Sequence, residues 1–200
     1  MIFAALAVVC AFAFWSCKKD DPNNPGGGSG GGGGAQVTDE FRIEIREEGV
    51  FPANAQQIFN LAPVGQRVPA FSDNFPSNVD ATLASKNTSR DKVVSIKGDT
   101  MRVKLLNNPT QNFDFMDSVW VYVSKLDGSN QELFGTSLGY SLGLRELDLL
   151  MTRTDVKEVF NADSVKLSLV GTKRAGNHSI QSGTEVEFFS SVLGVFSLVP

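Results

Sequence analysis

Val119-Trp120-Val121-Tyr122-Val123, then Leu126-Asp127-Gly128-Ser129-Asn130, then Glu132-Leu133-Phe134-Gly135-Thr136: this stretch decides the fold of the 200-residue chain. The first segment is β-branched and aromatic throughout, the composition of a strand inside a sheet. Asp, Gly and Asn in the second tolerate the backbone conformations that a tight connection demands. The third segment then returns as an antiparallel hairpin partner.

Working outward, Phe41, Ile43 and Ile45 alternate with Arg42, Glu44 and Arg46, and Met101, Val103 and Leu105 alternate with Arg102 and Lys104. A period of two is the mark of a half-buried strand. Further strands are expected at Arg67–Phe71, Ser164–Gly171, Ser179–Phe188 and Val192–Val199. Helical signals are short. Ser89–Val94 predicts one turn with Ser89 as N-cap, and Thr154–Phe160 a second with Thr154 as cap. Glu47–Asp80, which holds Pro52, Pro63, Pro69 and Pro76, is expected to be a long irregular excursion. About eight strands with turn signals between them predict an all-β fold, a two-layer antiparallel β-sandwich over residues 37–200 with one or two short helices.

The N-terminus carries an address. Ile2–Trp15 is an unbroken apolar run of 14 residues, too short for the roughly 20 residues that a membrane-spanning helix needs and suited to the apolar core of a signal peptide. It ends in Phe14-Trp15-Ser16-Cys17, after which the chain turns polar. Residues 1–16 therefore read as a lipoprotein signal peptide, and Cys17 as the acylated first residue after cleavage. Phe14 and bulky Trp15 depart from the usual lipobox. No Lys or Arg precedes the run, which predicts a natural start upstream of Met1. Residues 17–36 form the expected anchor and linker, with Gly26–Gly28 and Gly30–Gly34 making a flexible coil. Its root-mean-square reach from Lys18 to Val37 is about 25 Å. Two or more acyl chains anchor stably where one does not, so the lipid bilayer is the first expected partner.

Lys18-Lys19-Asp20-Asp21 resembles the short tract behind the acylated cysteine of Bacteroidota lipoproteins, where it is associated with export to the outer face of the outer membrane. Asn87–Lys97, Met101–Leu105 and Gln111-Asn112-Phe113-Asp114-Phe115-Met116-Asp117-Ser118-Val119 are similar to a group of small Bacteroidota lipoproteins of unassigned function. Asp155–Val159 and Ala162–Leu167 follow in the same order. The resemblance covers roughly Lys86 to Val199. It implies an outer-membrane, surface-facing β-domain and supplies no activity.

Chemistry is sparse. Both cysteines, Cys10 and Cys17, lie in the first 17 residues, so the domain is expected to fold without disulfides and has no thiol nucleophile. The single histidine, His178, sits in a turn entering a strand. No metal-ligand spacing and no cofactor motif occurs, so no catalytic, metal or cofactor-binding residue is expected. Asp114 and Asp117 lack calcium-loop spacing. Net charge is −4, which offers nucleic acid no footprint.

Three carboxylate pairs are weighed for glycan hydrolysis: Glu44 with Glu48, Glu146 with Asp148, and Glu185 with Glu187. On strands such pairs share one face and are expected to be a solvated outer surface. Aromatic ligand platforms, if present, are expected in Phe51–Phe75 and near Tyr140. The reading is a lipid-anchored, non-enzymatic lipoprotein with a ligand- or partner-binding or envelope accessory role, its partner an envelope protein or glycan. The alternatives are a carboxylate-dependent glycan hydrolase and a purely structural envelope protein.

Overall fold

The computed structural model describes residues Val37–Leu198, within the compact unit Gln36–Pro200. The signal peptide, Cys17, the tract Lys18, Lys19, Asp20 and Asp21, and the linker lie outside the described residues. No helix among the described residues is long and apolar enough to cross a membrane.

Eight antiparallel strands carry the fold: β1 Thr38–Val50, β2 Arg67–Pro76, β3 Val93–Leu105, β4 Met116–Ser124, β5 Glu132–Leu138, β6 Glu146–Met151, β7 Ser164–Lys173 and β8 Glu185–Ser197. Three short helices, α1 Ala55–Leu61, α2 Val79–Ser85 and α3 Lys157–Phe160, and two 3-10 turns, Arg90–Lys92 and Phe113–Phe115, fill the connections. The all-β expectation holds.

The strand order is β1-β8-β3-β6-β5-β4-β7-β2. Its pairings are nested: β4–β5 innermost, then β3–β6, β2–β7 and β1–β8. Curling that long double ribbon brings β8 against β3 and β7 against β4 as well. The outcome is a jelly-roll order, one curled sheet whose two four-stranded halves form the two layers. The halves are joined through only two residue pairs, Gly135↔Met151 and Thr136↔Leu150.

That join is too small to hold the layers together. A hydrogen bond nets about 1 kcal/mol, whereas fully burying one Phe side chain contributes about 1.5–3 kcal/mol. Phe188 of β8 packs against Phe71 of β2 at 4.9 Å and Phe75 at 6.2 Å between ring centroids, bridging the halves. Phe51, Phe59, Phe113, Phe115 and Phe160 are also fully buried. The period-two pattern turns Phe41, Ile43, Val103, Val119, Val121 and Leu169 inward to meet them. Gly194, cross-strand partner of Phe41, leaves the space that the Phe41 ring fills.

Several boundaries differ from expectation. Ser179–Phe188 and Val192–Val199 do not form two strands. Residues 179–184 are a loop, and Glu185–Ser197 is one continuous strand, because Ser190 and Ser191 are buried between β1 and β3 without breaking the pairing. The eighth strand is β6, whose alternation Glu146-Leu147-Asp148-Leu149 is short and is followed by Leu150 at 78% exposure. Glu47–Asp80 is more regular than expected: it holds the end of β1, α1, all of β2 and the start of α2. Pro69 and Pro76 are tolerated because β2 is an edge strand.

Ser89 does precede a 3-10 turn, although its side chain bonds the Asp91 carboxylate and caps no backbone N–H. Thr154 is not the cap of α3. Asp155 does that work, accepting from the N–H groups of Lys157 and Ile96, each at 3.0 Å.

Candidate functional site

Antiparallel order assigns every connection to one end of the sheet. Val37 enters β1 at the same end as the 77–92, 125–131 and 152–163 connections, and Thr38 pairs there with Ser197. The 51–66, 106–115, 139–145 and 174–184 connections gather at the opposite end. The four loops farthest from the chain's entry point thus form one cluster.

Local chemistry makes that cluster stiff. The Arg145 guanidinium donates to four backbone carbonyls, those of Asn108 (2.5 Å), Gln111 (2.9 Å), Asn107 (3.1 Å) and Leu105 (3.2 Å). Gln111 donates to Ser179 O and accepts from the Gln181 N–H at 3.0 Å. Asn107 donates to Gly183 O and accepts from Glu185 N–H. The Tyr140 hydroxyl donates to Phe113 O at 3.1 Å, and the Arg174 guanidinium lies 5.1 Å from the Tyr140 ring centre. Burial raises the Tyr140 phenol well above the usual tyrosine range, against the opposing pull of Arg174. The Gln111–Phe115 segment is thus a brace: Phe113 and Phe115 are core, and Asn112 accepts from Asp114 N–H.

Beside this brace, α1 and the β7–β8 loop enclose a crevice of about 400 Å³ lined by Gln56, Asn60, Lys173, Asn177, His178 and Ser179. Side-chain amides, a hydroxyl, an imidazole and an ammonium face it, and no carboxylate lines it. Lys173 Nζ donates to Asn60 O at 2.8 Å, tying α1 to the end of β7. Gly176 holds φ at +108°, and the His178 ring lies against it. His178 is half-buried.

The aromatic platforms are not where the sequence placed them. Phe51, Phe59, Phe71 and Phe75 are core, and Tyr140 spends its hydroxyl on the brace. Trp120 and Tyr122 instead face outward on β4, half-buried, with the Arg67 guanidinium 4.1 Å over the Trp120 ring. The interior offers a ligand little room: an apolar cavity of about 20 Å³ lies among Phe75, Phe134, Phe160 and Phe188, far below the roughly 300 Å³ of small-molecule sites.

The carboxylate pairs are dispersed among arginines. Arg102 lies 3.1 Å from Glu146 and 3.0 Å from Asp148. Glu187 corrects the expectation of a solvated pair: it is 7% exposed and bonded by Arg46 at 2.6 Å, while Glu185 is exposed. The reason is that β8 is flanked on both sides, by β1 and β3, whose side chains cover its outer face. Glu44 and Glu48 stand exposed on β1.

No protein-family model and no curated protein sequence matches the chain. Among solved structures, it is similar to a chain of infectious bursal disease virus Gt strain at 12% identity and TM-score 0.30, covering 82% of this chain and 34% of that one. A second likeness is to the infectious bursal disease virus VP2 subviral particle, at 10% identity and TM-score 0.28, covering 81% and 37%. A third is to Desmodium yellow mottle tymovirus, at 8% identity and TM-score 0.21, covering 99% and 98%. The chain spans about a third of the bursal disease virus chains that it matches. At TM-scores this low, the likeness adds nothing to what the strand order already says.

Proposed function

We propose that this chain is a lipid-anchored, non-enzymatic outer-membrane lipoprotein that faces the cell exterior and binds a hydroxyl-rich glycan in the crevice between α1 and the β7–β8 loop. The observation that carries the binding reading is the crevice itself, a carboxylate-free concavity of amides, a hydroxyl, an imidazole and one ammonium on a cross-braced platform. Such groups suit sugar hydroxyls, which both accept and donate, and sugar carboxylates, which accept. It lies at the end of the domain remote from Val37, so a tether entering there leaves it clear.

The anchor reading rests on Ser16-Cys17 behind an apolar run and on the Lys18–Asp21 tract. A hydrolase would need two free carboxylates across a cleft. Two grooves bring carboxylates together, and arginines hold them in both: Asp99 bonds Arg42 at 2.8 Å and Asp148 bonds Arg102 at 3.0 Å, while Asp80 and Asp163 both bond Arg90 at 2.8 Å. That weighs for binding over hydrolysis.

Two measurements test the reading. Cys17→Ser in the full chain should abolish acyl labelling and release the protein from membranes; retention would overturn the anchor. Screening the full chain against an array of envelope and host glycans should give hits that Lys173→Ala and Asn177→Ala each weaken. Hits indifferent to both changes would move the site elsewhere.

A further inference from the structure

The sheet has two free edges, β1 and β2, and they are built differently. β2 contains Pro69 and Pro76, and its register shifts between Pro69 and Phe71. Prolines and bulges are the devices by which an edge refuses further pairing. β1 has neither. Its 13 residues pair with β8 without a register shift, and no strand pairs with its other edge, beside which α2 lies. A long regular edge of this kind is a template for another strand.

The outward side chains of β1 say which strand fits. They run Glu40, Arg42, Glu44, Arg46, Glu48, all exposed. Glu40, Glu44 and Glu48 have no ion-pair partner among the described residues, and the Arg46 side chain is 71% exposed although it bonds Glu187. Set a second copy antiparallel about a two-fold axis at Ile45. Arg42 then falls opposite Glu48, and Glu44 opposite Arg46, each pair twice. Ile45 meets Ile45, and Glu47, the inward-turned charge, meets Ile43. An axis at Glu44 or at Arg46 instead places like charges opposite one another. An axis at Ile43 sets Asp39 against Glu47. Axes at Phe41 and at Ile45 both give opposite charges with no like-charge pair, but the Phe41 axis makes two such pairs and the Ile45 axis four, and directly opposed residues are those whose charges count in a sheet.

We propose that β1 pairs antiparallel with β1 of a second copy of this chain about Ile45, joining two eight-stranded sheets into one. The interface is self-complementary, as a two-fold axis requires. The two copies' Val37 residues then lie at opposite ends of the joined strands. The pairing does not depend on the identity of the ligand in the crevice.

The test is the protein mass of the full chain in detergent micelles, by light scattering with the detergent contribution subtracted. The wild type should be a dimer. Glu44→Arg/Glu48→Arg, which breaks no bond within one copy, should weaken dimerisation roughly a hundredfold by opposing like charges at four positions. For the register, Glu48→Arg alone should weaken the dimer and Glu40→Arg alone should not. A monomeric wild type, or a dimer indifferent to Glu44→Arg/Glu48→Arg, would overturn the proposal. Sensitivity at Glu40 without sensitivity at Glu48 would overturn the register.

Discussion

Arg46 on β1 places both Nε and Nη2 2.6 Å from one oxygen, Oε2, of Glu187 on the neighbouring strand β8. One partner is 71% exposed and the other 9%, by side chain. The pair therefore sits between a surface ion pair, worth little, and a buried one, costly to break. Arg46→Ala is expected to cost about 1–2 kcal/mol, the range for a hydrogen bond to a charged group discounted for solvent screening. Urea unfolding would read this as a lowered midpoint with an unchanged slope. Glu187→Gln, which removes the charge and keeps the shape, should cost less than Arg46→Ala.

The loop brace makes a second prediction. Arg145→Lys should loosen residues 107–112, because one ammonium cannot serve four carbonyls that a planar guanidinium reaches at once. Amide exchange should accelerate at Phe113, whose N–H bonds Leu144 O, and at Gln181, whose N–H bonds Gln111. Exchange in β4 and β8 should be unchanged. Uniform acceleration through the sheet would contradict a local role.

Gly194 lies under the Phe41 ring, where an added Cβ would overlap ring atoms. Gly194→Ala is expected to destabilise by about 1–3 kcal/mol, the usual range for overpacking a core. Gly128, at φ +83° with open space around it, makes the contrast. Gly128→Ala should also destabilise, through backbone strain in the hairpin turn and without disturbing the core. Near-ultraviolet circular dichroism should change for the first variant only.

Asp127 gives the pH prediction. Its carboxylate accepts from the Ser129 hydroxyl at 2.7 Å and the Ser129 N–H at 2.9 Å, and these bonds hold its pKa below the ordinary aspartate value, the hydroxyl bond most of all. A pKa lowered on folding means that the charged form stabilises the turn. That contribution is full above the unfolded pKa and is lost as pH falls through the folded one. An NMR titration should place the Asp127 midpoint below that of an unstructured aspartate, and Ser129→Ala should move it back up. An unmoved midpoint would show that the hydroxyl bond is not what sets it.

Alternation in Phe41–Arg46, Met101–Leu105 and Val119–Val123, with the Asp127–Asn130 turn, determined from sequence alone that the fold is all-β, because side chains two apart must share a face. It could not determine which strands neighbour which. Pairing depends on curling a nested ribbon until Phe188 meets Phe71 and Phe75, contacts between residues more than a hundred positions apart. β6 is not legible in the sequence because Leu150 breaks its short alternation, and β8 has the pattern of two strands because its adjacent serines resemble a turn until strands flank both sides. The crevice was less legible still. Its lining comes from Gln56 and Asn60 on one loop and Lys173 to Ser179 on another, and only antiparallel order brings both loops to one end. The address at Cys17, by contrast, is a local chemical pattern, and sequence is where such a pattern is written.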